Sequence, residues 1–149
     1  MPSQMVRLAQ LMSRPMETPS VMPQESSFSR HLGIEEIAVD PSCASYRMAI
    51  SPELSNRNGV LHGGALMSLV DHCGGSVGFA NCPPGKTTVT LESKTNFFRA
   101  ARVGDTVTAE GTPLHAGRTS VVVQVITRRG DGKEVSATTQ TQLFLEWQD

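Results

Sequence analysis

The stretch from Gly64 to Ala80 is the one part of this chain whose apolar residues keep a helical period over several turns. Leu66, Leu69, Val70, Cys73, Val77 and Ala80 fall at i, i+3, i+4, i+7, i+11 and i+14, a stripe that packs on a sheet. Asn81, Pro83 and Pro84 stop the helix. Around it the pattern is that of strands. Residues 31–40 and 45–54 read as two strands before it, with a turn at Pro41 and Ser42, and Asn58-Gly59 marks a further turn. Residues 87–98, 105–115, 119–129 and 134–146 read as strands after it, the last two joined through Gly130-Asp131-Gly132. No helix separates these later strands, so they are expected to be antiparallel neighbours. The fold class is α+β: an antiparallel sheet covering one long helix.

A chain of 149 residues makes one domain with a sizeable core. Residues 1–27 stand apart: they hold five of the seven methionines and four prolines, and read as an arm that cannot form a core alone. The compact domain is expected over 28–149. Arg7 and Arg14 precede any acid, as in a transit peptide, but an apolar stretch followed by a small-residue cleavage site is missing. A net charge of −1 argues against a nucleic-acid partner, and the apolar runs are too short to span a membrane. Cys43, Cys73 and Cys82 form no Cys-x-x-Cys pair, which fits free thiols in a reducing compartment and a cytoplasmic location. His31 and His115 have no metal-ligand spacing, and neither a metal nor a cofactor is expected.

The helix has a second face: Met67, Asp71, Gly74, Gly75 and Gly78. Glycine inside a helix costs about 1 kcal/mol relative to alanine, so something close must offset it. A thin ligand or another backbone fits that requirement, and so does a neighbouring helix with Asp71 in solvent. No Ser, Thr, Asp or Asn stands directly before Gly64 to cap the helix. The amides of Gly63, Gly64 and Ala65 are thus expected to be open to an oxyanion, although plain glycine capping reads the same way.

The run Asn56-Arg-Asn-Gly59-Val-Leu-His62-Gly63-Gly64, with Asp71 nine residues after the histidine, resembles the active-site segment of hotdog-fold acyl-CoA thioesterases of the PaaI-like and 4-hydroxybenzoyl type. Residues 89–105 and 116–144 resemble that family's later strands, and the likeness covers about residues 28–146. It implies a sheet wrapped around one helix, a homodimer with a continuous sheet, often paired again into a homotetramer, and sites at the dimer interface. The implied reaction is hydrolysis of an acyl-CoA thioester. Gly63 is the expected oxyanion donor and Asp71 the general base or the nucleophile. Asn56 is the expected orienter of water or carbonyl, and Thr90 a water holder facing the carboxylate. His62 either approaches the thioester sulfur or fixes its loop by bonding backbone.

Gly63 and Asp71 are eight residues apart, about 12 Å along a helix. One thioester carbon cannot meet both groups of a single helix, so if both act they must come from two subunits. For the nucleotide of CoA, residues 86–133 hold eight Lys and Arg against four acids. Arg99, Arg102 and Arg118, with Gly64 and Phe97, are the expected substrate contacts; a solvated sheet edge reads the same charges differently. His72 points away from Asp71 and reads as structural, and Cys73 as a buried apolar residue. Two other functions fit the same fold: an enoyl-thioester hydratase or dehydratase, and a non-catalytic acyl-CoA binding module.

Overall fold

The computed structural model describes residues 26–146. The expected N-terminal arm therefore lies outside the described residues, apart from Ser26 and Ser27. Two helices and six strands follow: α1 (Ser27–His31), β1 (Ile34–Asp40), β2 (Cys43–Ala49), α2 (Gly63–Ala80), β3 (Lys86–Phe97), β4 (Thr106–Ala116), β5 (Ser120–Arg129) and β6 (Glu134–Glu146). The expected second strand is shorter than its reading, because Pro52 starts a single 3₁₀ turn, Pro52–Leu54, where the chain leaves the sheet.

All strands join one antiparallel sheet in the order β1-β2-β4-β5-β6-β3. The later strands are antiparallel, as expected, but β3 and β4 are not neighbours. After α2 the chain pairs β3 with β6 at the far edge, and β4 returns to pair with β2. This crossing lets the sheet curl around α2, which packs against all six strands. Leu66, Leu69, Val70, Cys73 and Val77 of α2 meet Val107 and Ala109 of β4 and Val121, Val123 and Val125 of β5 in one core. Burial alternates along β4 and β5, as a sheet with one covered face requires.

Cys73 lies on that buried stripe, its thiol 3.5 Å from the Ala44 carbonyl. Burial pushes the thiol up to about 12, so almost no thiolate exists at neutral pH. Cys73 is expected to escape iodoacetamide in the native protein and to react only after denaturation, read by mass spectrometry of the alkylated peptides. Labelling of native Cys73 at the rate of half-exposed Cys43 would contradict this packing.

Candidate active site

Asp71 is in the middle of α2, on the face that the sheet leaves open. Its Oδ1 accepts two hydrogen bonds: from the Thr90 hydroxyl of β3 at 2.9 Å and from the Gln140 amide of β6 at 3.0 Å. The Gln142 amide donates to the Thr90 oxygen at 2.8 Å, and Gln142 Oε1 accepts from Thr88 at 2.8 Å. Ser93 donates to Gln140 Oε1 at 3.0 Å. The sheet register makes this array. Thr90 stands opposite Gln142, and Ser93 opposite Gln140, across the β3–β6 ladder. A bulge between Thr90 and Glu92 absorbs the odd spacing of the two rows.

The glycine face of α2 has a different cause from the one expected. A Cβ on Gly74 would sit 2.9 Å from Gln140 Nε2, and one on Gly78 would sit 2.7 Å from Gln142 Cγ. Those two glycines make room for the glutamines, not for a ligand or a second helix. Gly75 alone is open, and it lines a groove of about 610 Å³. Its polar lining is Glu36, Tyr46, Asp71, His72, Ser76, Thr88, Thr90 and Gln142, while Val39, Phe79 and Ala80 are apolar. A smaller hollow of about 360 Å³, lined by Phe28, Met67 and several serines, shares Asp71 and His72 as a wall.

The sequence reading does not single out Gln140 and Gln142. Even-numbered residues of β6 from Ser136 to Phe144 face inward, and four of the five are polar. That polar run on a core-facing register was the available signal.

Beside the groove, His72 Nδ1 is 2.9 Å from the Ser29 hydroxyl, and its ring meets Tyr46 edge-on at 4.6 Å. His72 thus ties α1 and β2 to α2, in keeping with a structural reading. The Tyr46 hydroxyl lies 2.8 Å from Ser76 Oγ, and burial pushes it up to about 12. It remains a neutral phenol across the working range of pH.

The start of α2 lies at Gly63, one residue earlier than its reading, and it is capped. His62 Nδ1 accepts the Gly64 N–H at 2.9 Å, and the His62 N–H donates to the Leu54 carbonyl at 2.8 Å. The expectation of an open Gly64 amide is corrected by this side-chain cap, and the loop-fixing reading of His62 describes its observed contacts. Among the described residues, the Gly63 N–H makes no hydrogen bond, and the Phe97 ring packs on Gly63. Asn56 Oδ1 accepts the Asn58 N–H at 2.9 Å, which shapes the turn whose Gly59 has φ of +71°.

The expected residues therefore form two clusters in one chain. Asp71 and Thr90 meet at mid-helix; Asn56, His62, Gly63, Gly64 and Phe97 gather at the helix start. Arg99 and Arg102 belong to the second end, where Arg99 donates to the Glu134 carbonyl at 2.9 Å and Arg102 bridges to Val60. Arg118 is in the β4–β5 turn, at the opposite end of the ten-residue β5, roughly 33 Å away along the strand. One chain does not gather the three arginines into one patch.

The profile of the thioesterase superfamily matches residues 58–136. A Deinococcus radiodurans protein, provisionally named an esterase, is 30% identical over 123 residues, covering 83% of this chain and 80% of its own. The acyl-coenzyme A thioesterase PaaI of Escherichia coli is 28% identical over 104 residues, 70% of this chain and 72% of its own. A crystal structure of a Haemophilus influenzae thioesterase superposes with a TM-score of 0.77 at 28% identity, covering 100% of this chain and 95% of that one. With more than half of its length matched by the superfamily profile, the chain belongs to the thioesterase superfamily, as a PaaI-like hotdog thioester hydrolase.

Proposed function

We propose that the chain hydrolyses an acyl-CoA thioester to free acid and CoA at a site shared by two protomers. The observation that carries this reading is the Asp71 carboxylate, held through Oδ1 by Thr90 and Gln140 at the wall of a part-apolar groove. No hydrogen bond among the described residues uses Oδ2, which is the atom left to activate water or to attack. The relative named an acyl-coenzyme A thioesterase supports the substrate class.

The second group is the Gly63 amide. It carries the partial positive charge of a helix start and suits the oxygen that becomes negative in the transition state. Eight residues of α2 separate it from Asp71, so the two work together only across a two-fold axis. Edge strand β3 offers the contact, with Val89 and Leu91 exposed on a side that no described strand covers. Asp71 bonds Thr90, and Gly63 packs on Phe97. Antiparallel pairing of β3 with its copy, Thr90 opposite the partner subunit's Phe97, carries Asp71 to the partner subunit's Gly63. His62 and Asn56 hold the loop that aims Gly63. Arg99 and Arg102 stand nearest that end for the phosphates of CoA, while Arg118 reaches such a site only from the other protomer.

Thiol release from a panel of aryl- and alkyl-CoA esters tests the reading. Steady release of free CoA from at least one ester is expected. Binding with no turnover on any ester would favour the binding module. Hydration of an enoyl-CoA without thiol release would favour the hydratase.

A further inference from the structure

We propose that Gln140 and Gln142 are positioning residues that aim the Asp71 carboxylate; the inference rests on the reading of Asp71 as base or nucleophile. Both side chains are fully buried, at 0% and 1% exposure, where the neighbouring strand β5 places Val121, Val123 and Val125. A core built for packing alone would continue those valines, since a buried amide must satisfy three or four hydrogen-bonding positions. Here both amides feed one atom: Gln140 Nε2 donates to Asp71 Oδ1 directly, and Gln142 Nε2 donates to the Thr90 hydroxyl that bonds it, while Ser93 and Thr88 donate to the two Oε1 atoms.

The direction of the hydrogen bonds follows from chemistry. An ionised carboxylate only accepts, so Thr90 must spend its single proton on Asp71. The Thr90 oxygen then needs a donor, and Gln142 Nε2 is 2.8 Å away. That orientation leaves Gln142 Oε1 to accept from Thr88, as observed. Turning the Gln142 amide over would draw the Thr90 proton away from Asp71. Gln140 Nε2 supplies the second donor, with its own Oε1 held by Ser93. Two donors on one oxygen fix the plane of the carboxylate and leave Oδ2 as the reactive atom. The helix is shaped to allow this: Gly74 and Gly78 are the positions where any side chain would strike the two glutamines. Small displacements of a catalytic group lower the rate steeply, which gives such aiming its value.

The test is a double-mutant cycle on the full chain, with kcat and KM measured on the best ester of the panel. Gln140→Met keeps the volume and removes the donor; it is expected to lower kcat about 10-fold with KM within about twofold of wild type. In the Asp71→Asn background the same change is expected to alter kcat by less than about twofold, because no reactive carboxylate remains to be aimed. Gly74→Ala, which crowds Gln140 without deleting a polar group, is expected to follow the same pattern and serves if Gln140→Met does not fold. Equal losses in both backgrounds would mean a structural role and overturn the proposal. Full activity of Gln140→Met and Gly74→Ala beside a crippled Asp71→Asn would overturn this inference alone. Full activity of Asp71→Asn would overturn the reading of Asp71 and this inference together.

Discussion

Replacing Asp71 by asparagine is expected to lower kcat by about 10²-fold or more with the fold intact. Asparagine has the same shape, and its Oδ1 can still accept from the Thr90 hydroxyl and the Gln140 amide that hold the carboxylate now. The buried glutamines thus keep their partners, and thermal stability should stay within a few degrees. What disappears is the second oxygen, which alone is outside the hydrogen-bonded array and which must take a proton or attack the thioester carbon. An amide does neither at neutral pH. The loss should appear in kcat and leave KM within about threefold, because the groove walls are untouched. A loss in kcat below threefold would remove Asp71 from the chemistry, whatever its hydrogen bonds.

The features legible in the sequence were local or periodic ones. The stripe from Leu66 to Val77 declares both the helix and its buried face, since helix geometry repeats within the segment itself. The alternation in β5 and the Gly130–Gly132 turn declare a hairpin in the same way. The place of β3 did not show, because strand order depends on partners far along the chain: Thr90 meets Gln142 across 52 residues. The glutamine array was hidden for the same reason. A polar residue on a core-facing register signals a partner but does not name it. The glycines of α2 suggest a thin ligand, another backbone or a neighbouring helix, whereas Gly74 and Gly78 make room for side chains of β6. The arginines mislead in the opposite sense. Arg99, Arg102 and Arg118 are close in sequence, yet β4 carries the chain the length of the sheet between them. His62 escaped as a cap because an imidazole accepting through Nδ1 is not among the usual helix-capping oxygens.

Co-expression of two inactive chains, one Asp71→Asn and one Gly63→Pro, is expected to restore about a quarter of wild-type activity. Proline suits position 63 structurally. It is the first residue of α2, where a missing N–H breaks no helical hydrogen bond, and His62 before it has φ of −64° and ψ of 134°, which proline tolerates in its predecessor. A Cβ there meets the Phe97 ring at an ordinary 3.6 Å. Gly63→Pro alone should therefore fold and lose about 10²–10³ in kcat through its missing oxyanion donor. If each site takes its amide from one protomer and its carboxylate from the other, a mixed dimer holds one complete site and one that lacks both groups. Random pairing makes half of the dimers mixed, and half of their sites are whole, which gives the quarter. If amide and carboxylate instead served one chain, every site in the mixture would be defective, and activity would stay at the level of the single variants. The separation along α2 already makes that second outcome hard to reconcile with any thioester, since no acyl carbon lies within bonding reach of both ends of about 12 Å of helix.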